Sequence, residues 1–238
     1  MKRVYTWKPD LPDHRDHVFA ATAGALPPHV DLRPKMTPVF DQGNLGSCTG
    51  NAIAGALEYL EHNRVSRLFI YYQERVIEHT VKSDSGAEIR DGVKACHTVG
   101  YCGEALWPYR ISKFAAKPTA AAYADAAKHK ISEYARANSM TSFKTALANG
   151  FPIAFGFSVY DSFESNAIAK NGVVPMPAHS EKMLGGHAVL MVGYDDASQR
   201  VIVRNSWGPG WGQKGYFTMP YQYVEDRNLS DDFWVIRK

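Results

Sequence analysis

The sequence predicts an α+β protein, with helices in the first half and strands in the second. Two patterns carry that expectation. Ile53, Ala56, Leu57 and Leu60 recur at helical spacing, whereas beyond residue 150 the apolar residues fall into short β-branched or aromatic runs bounded by Gly, Pro or Asp. With 238 residues, 45% of them hydrophobic, the chain can build one large domain or two lobes around a real core.

Residues 1–26 come first and show little periodicity. Pro9 and Pro12 favour an extended path over a helix. Met1-Lys2-Arg3 is followed by Trp7, Pro9, Asp10 and Asp13 and by no apolar run, so no signal peptide is read here.

Asp41 to Asn51 reads Asp-Gln-Gly-Asn-Leu-Gly-Ser-Cys-Thr-Gly-Asn and leads into the helical pattern, which should run to about His62. Cys48 thus falls on the first turn of a helix. Unpaired N–H groups and the positive end of the helix dipole favour a thiolate there. Gln42, six residues earlier on a glycine-containing loop, carries an amide with two N–H donors. Such a donor, with the N–H of Cys48 itself, is what an oxyanion hole needs.

The elements that follow are predicted in turn. Ser66 to Thr80 is a second helix candidate. Asp84 to Val93 is a loop followed by a helix start. Arg110 to Ala127 is read as a crossing between lobes. Ser142 to Ala148 is a short helix with a Ser cap, stopped by Asn149-Gly150 and Pro152. Strands are expected at Ile153–Val159, His187–Tyr194, Val201–Asn205, Gly215–Met219 and Phe233–Ile236. Residues 161–186 form a long insertion, a length that marks functional loops and could place it beside a cleft.

Two of these strands carry candidate catalytic groups. His187 opens an apolar run after Gly185-Gly186, and Asn205 closes the next one in Arg204-Asn205-Ser206-Trp207-Gly208. His187 lies 139 residues after Cys48, and Asn205 lies 18 further on. In this order the motifs resemble the papain-like cysteine proteases, whose glycine-rich cysteine motif precedes a His and an Asn by roughly 130–150 residues. The resemblance covers about Pro27 to the C-terminus.

That resemblance implies a two-lobe fold with a cleft between a helical lobe (about 40–130) carrying the cysteine helix and a β-barrel-like lobe (about 131–238 with 27–39). It implies a cysteine endopeptidase in which Cys48 and His187 form a thiolate–imidazolium pair. Asn205 would orient the imidazole, Trp207 would shield that bond from water, and Gln42 would hold the oxyanion. Gly86 would pair its backbone with the P2 residue of a substrate, and Gly186 would leave the histidine wall open. The Gly100 to Tyr109 segment resembles a structural stretch of the family. Residues 1–26 would then be a short N-terminal extension ahead of a catalytic domain at 27–238, either wrapped on the surface or lying in the cleft as a zymogen-like plug.

The chain also departs from the family pattern. Thr49 stands where a tryptophan usually follows the nucleophile, and Leu45 stands where a disulfide cysteine usually lies. Cys96 and Cys102 are left either paired or simply buried. A secreted or exported location is favoured by the resemblance alone.

The expected partner is a peptide or protein substrate, with the chain a monomer. A net charge of +3 argues for neither nucleic acid nor membrane as an obligatory partner, and no run approaches the length of a spanning helix. The remaining histidines show no ligand spacing that demands a metal, and the chemistry needs no cofactor. The alternatives are an exopeptidase, a deamidase or a transferase on the same site, or a binding module that has kept the fold without catalysis.

Overall fold

The computed structural model describes residues 3–21 and 24–238. After a short strand β1 (His29–Asp31) come the helices α1 (Cys48–Glu61), α2 (Arg67–Ile77), α3 (Ile89–Thr98) and α4 (Ala120–Ala126). Then follow β2 (Glu133–Arg136), α5 (Met140–Ala148), β3 (Ile153–Tyr160), α6 (Asn166–Asn171), β4 (Met183–Asp195), β5 (Arg200–Arg204), β6 (Tyr216–Pro220), α7 (Tyr221–Glu225) and β7 (Ser230–Arg237). The strands form one antiparallel sheet in the order β2-β7-β3-β4-β5-β6, with β1 added alongside β4.

The central strand β3 shows why this sheet sits between two packed layers. Successive side chains of a strand point to opposite faces. Ile153, Phe155 and Phe157 enter a core with Met191, Val203 and Phe217, while Ala154 enters a second core with Ile53 and Leu57 of α1. Small residues on that second face let α1 lie against β4, and this brings the start of the helix to the histidine strand. A third cluster, with Leu45, Leu68, Phe69, Ala122 and Ala126, fills the helical lobe.

Several boundaries differ from expectation, each for a local reason. Ser139, not Ser142, caps α5: its hydroxyl accepts from the Ser142 N–H, and Ser142 returns the bond as a capping box. The alanine-rich stretch read as a lobe crossing folds instead into the helical lobe, where Ala122 and Ala126 of α4 are buried. The chain crosses after Ala127, where Ile131 N–H donates to Cys96 O and β2 begins. Strand β4 begins four residues before His187, and the 161–186 insertion contains α6 and a 3-10 turn at Asp161–Glu164. Cys96 and Cys102 are both free and buried.

Residues 3–12 run extended, as Pro9 and Pro12 require, and a turn follows in which Asp16 N–H donates to Asp13 O, but the segment does not wrap loosely over the surface. Trp7 N–H donates to Gly186 O at 3.0 Å, and further on His17, Val18 and Phe19 lie alongside β2: Arg136 N–H donates to His17 O at 2.7 Å and Phe19 N–H to Arg136 O at 2.8 Å. Of the expected 1–26 extension, Met1, Lys2, Thr22 and Ala23 lie outside the described residues.

Candidate active site

Cys48 is the first residue of α1 and is buried. A helix start usually uses its N-cap side chain to satisfy a first-turn N–H, and Ser66, Thr119 and Ser139 do so for α2, α4 and α5. Ser47 does not. Its hydroxyl is taken up by Tyr109 Oη at 2.6 Å and Asn51 Nδ2 at 3.1 Å, so the first turn of α1 keeps open donors beside the sulfur.

Across from it, His187 is wholly buried on β4. Its Nε2 lies 2.9 Å from Asn205 Oδ1, and that oxygen also accepts the Ser206 N–H at 2.8 Å. Asn205 Oδ1 is therefore an acceptor, so Nε2 carries the ring proton and the lone pair of the neutral imidazole sits on Nδ1. Nδ1 is buried with no hydrogen-bond partner among the described residues. Trp207 stacks on the ring, with centroids 5.1 Å apart and planes 25° from parallel, and closes the His187–Asn205 bond off from water.

Gln42 is held at both ends of its amide. Nε2 donates to Leu45 O at 2.8 Å and Oε1 accepts from Ser206 Oγ, while its backbone N–H donates to Ser206 O at 2.8 Å. One of its two amide hydrogens stays uncommitted. Tyr109 Oη donates to Gln42 O at 2.8 Å, and the Tyr109 N–H is held by Glu104 at 2.8 Å. The 100–109 stretch thus braces both the Gln42 loop and Ser47. Ser206 is likewise a residue that sequence reasoning passed over, although its place beside Asn205 was a signal.

Burial sets the protonation of the pair. It pushes the Cys48 thiol up to about 11, against hydrogen bonds from the backbone of Ala188, Thr49 and Cys48 itself and with the Glu74 carboxyl adding to the rise. It pushes His187 down to about 4, against the hydrogen bond to Asn205. Both shifts favour neutral thiol and neutral imidazole in this closed arrangement. Thr49 turns its hydroxyl to Glu74 Oε2 at 2.7 Å, which accounts for a small polar residue at that position.

The N-terminal segment lies against these residues. The Tyr5 ring meets His187 and Trp207 edge-on at 6.1 and 6.2 Å, and its hydroxyl bonds Glu164 of the 161–186 insertion. Thr6 Oγ1 donates to Gly46 O at 3.0 Å. Gly86 adopts φ +68°, and a Cβ there would lie 1.9 Å from Thr6 O. A Cβ on Gly186 would lie 2.5 Å from Trp7 O. The two glycines expected to border a substrate therefore border residues 6 and 7. Arg3 pairs with Asp41 at 3.1 Å and lies over the Trp207 ring at 4.8 Å. Burying the Trp7 side chain is worth about 5 kcal/mol at 25 cal/mol per Å² over roughly 200 Å². Ordering each backbone residue costs about 1–2 kcal/mol, so that burial offsets only a few residues of the segment.

The sequence-predicted residues Cys48, Gln42, His187, Asn205 and Trp207 thus meet at one place, with Gly86 and Gly186 at its rim. Among the described residues no cluster of His, Cys, Asp or Glu has the make-up of a metal site, and no helix is long and apolar enough to cross a membrane.

Residues 26–232 match the model of the papain family cysteine protease. An uncharacterized peptidase C1-like protein of Acanthamoeba polyphaga mimivirus is 43% identical over the whole chain and 88% of its own length. Xylellain, a cysteine protease from Xylella fastidiosa, superposes with a TM-score of 0.94 at 42% identity, over 98% of this chain and 96% of its own. The digestive procathepsin L 3 of Tenebrio molitor shares the fold at 20% identity, with a TM-score of 0.74 over 94% of this chain and 74% of its own. A buried cysteine at an uncapped helix start, a buried imidazole with Nδ1 free and a family match over most of the sequence converge: this chain belongs to the papain family and is a cysteine peptidase.

Proposed function

We propose that the protein is an endopeptidase working through Cys48 and His187, held latent by its own residues 3–21. The observation that carries the reading is the buried His187, fixed through Nε2 by Asn205 with its Nδ1 lone pair left free. Once the N-terminal segment leaves, water and substrate reach the pair, the burial that opposes charge falls away, and Nδ1 takes the proton of Cys48. The sulfur attacks the peptide carbonyl. The oxyanion is received by the free Gln42 amide hydrogen and the Cys48 N–H. His187 then gives its proton to the leaving amine, a thioester remains on Cys48, and His187 activates the water that releases the acid.

The test uses the full chain with Tyr5→Gly and Trp7→Gly, which loosen the segment without touching the proposed catalytic groups. A peptide ester should leave an acyl mass on Cys48 that disappears in a further His187→Ala variant. Long peptides should be cut internally. Release of terminal residues only would make it an exopeptidase, and release of ammonia a deamidase. Transfer of the acyl group to an added amine in preference to water would make it a transferase.

A further inference from the structure

We propose that Arg67 is a positioning residue for Asn205, and that its Nε–H and the Asn205 amide N–H donate to one buried water held between them. This role rests on the peptidase reading above and adds to it a residue that acts on His187 through Asn205.

Asn205 finds partners at one end of its amide only. Its Oδ1 accepts from His187 Nε2 at 2.9 Å and from the Ser206 N–H at 2.8 Å, while its Nδ2 is buried with no acceptor among the described residues. Arg67, the first residue of α2, has the same imbalance. Its guanidinium lies between the Phe40 and Tyr109 rings, 4.0 Å from each centroid, which fixes its plane. Nη1 donates to Asn51 Oδ1 at 3.1 Å and Nη2 faces Glu104 at 3.8 Å. The Nε–H remains, buried with no acceptor among the described residues. Polar groups this deeply buried keep a partner in nearly all native proteins. Here two donors lack one at the same place, because Arg67 and Asn205 line a single cavity.

The cavity measures about 10 Å³, room for one water-sized sphere and no larger ligand. Arg204, the second cation in its wall, is taken up by the carbonyls of Thr37 and Pro38 at 2.6 and 3.1 Å. Glu58 also lines it, its carboxylate accepting from Thr37 Oγ1 and from the Val65 N–H at 3.2 Å. A halide would receive both orphan N–H groups but would sit against that carboxylate. A water accepts both with its two lone pairs and keeps two hydrogens for Glu58 and Asn51 Oδ1.

The consequence falls on His187. Turned end for end, the Asn205 amide would offer N–H groups to the Ser206 N–H and to the ring in place of an acceptor. A water on the far side gives Nδ2 its own acceptor and so holds Oδ1 toward the ring. The ring proton then stays on Nε2 and the lone pair on Nδ1, the arrangement that receives a proton from Cys48.

The deciding variant is Arg67→Lys, which keeps the charge facing Glu104 but puts a methylene where arginine has its Nε–H. In the full chain at pH 7, NMR with labelled histidine and asparagine should show His187 as the Nε2–H tautomer and a contact between the Asn205 amide hydrogens and a long-lived water. In Arg67→Lys that contact should disappear and the Nδ1–H tautomer should become populated. In the chain with Tyr5→Gly and Trp7→Gly, Arg67→Lys should lower kcat about tenfold with KM little changed, and should cost nothing more once Asn205→Ala is present. The same loss of kcat in the Asn205→Ala background would mean that Arg67 acts through Asn51 and Ser47, and overturns the inference. An unchanged His187 tautomer in Arg67→Lys also overturns it. So do Asn205 amide resonances of the natural chain that show no water contact, whether or not they follow added chloride. A tautomer that responds to Arg67→Lys in a chain that cuts no peptide upholds the positioning role and overturns the peptidase reading alone.

Discussion

Asp10 of the N-terminal segment and Asp232 of β7 close on one arginine. Asp10 N–H donates to Asp232 Oδ2 at 2.8 Å, and the two carboxylates accept from Arg136 at 2.7 and 3.0 Å. Trp234 Nε1 and the Arg90 N–H also donate to Asp10, and Asp16 bridges Arg90 and Arg136. Arg136 is flanked by Asp231 as well, at 3.7 Å. Four carboxylates thus surround two guanidinium groups, and the excess negative charge sits where the segment is tied down.

This excess gives the latch a pH dependence with a definite sign. Burial, then the charge of Asp10, lifts Asp232 to about 7, and burial also raises Asp10. The docked state therefore holds more protons than the released one. Its stabilisation is complete below about pH 4 and is lost as pH rises through about 7. Hydrogen exchange of residues 3–12, corrected for intrinsic rate, should accelerate between about pH 4 and 7 and level off above, and Asp232→Asn should flatten the profile. Exchange that accelerates toward acid instead would contradict this linkage.

The closed site should also be chemically quiet. With the Cys48 thiol pushed up to about 11 and His187 down to about 4, both by burial, little thiolate exists at pH 5–6. A peptide-like epoxide should therefore label the full chain slowly. Tyr5→Gly with Trp7→Gly should speed labelling of Cys48 at least tenfold. Cys96 and Cys102, whose thiols burial also pushes up, should stay unlabelled in both chains. Equal labelling rates in the two chains would mean that residues 3–21 do not control access.

What the sequence made legible follows from the range of the interactions. The Cys48 helix and the strands around His187 and Asn205 were readable because their signals lie within a few residues of one another. The seat of the N-terminal segment was not, since the Asp10 and Asp232 that fix it are 222 positions apart and neither stands in a periodic pattern. Strand β2 escaped notice because its four residues, Glu-Tyr-Ala-Arg, are short and half charged, and pairing with β7 makes them a strand. The bracing by Tyr109 and Ser206 was hidden for the same reason: each acts through a hydroxyl on a loop distant in sequence.

Gln42 should behave as a transition-state donor. Gln42→Ala, in the chain with the segment loosened, is expected to lower kcat by about 10²–10³ with KM little changed, as for loss of one oxyanion donor. Ser206→Ala leaves the amide in place but frees its Oε1, so its loss in kcat should be smaller. A KM effect larger than the kcat effect for Gln42→Ala would mean that this side chain binds substrate in the ground state.

Glu74 gives the last prediction, one of stability. Its side chain is wholly buried behind Cys48, with Oε2 accepting from Thr49 and Oε1 without a partner among the described residues. Burial lifts its carboxyl to about 8. A group whose folded pKa is raised stabilises fully below its unfolded value, near 4.5, and loses that contribution as pH rises through about 8. The wild-type Tm should therefore fall more steeply between pH 5 and 8 than that of Glu74→Gln, which keeps the shape and an acceptor for Thr49 but cannot ionise. At pH 5 the two chains should melt within a few degrees of each other, since both present a neutral group. Calorimetric scans at pH 5, 7 and 9 decide it: parallel Tm profiles for the two chains would show that Glu74 is already ionised at neutral pH and that its charge is compensated in the fold.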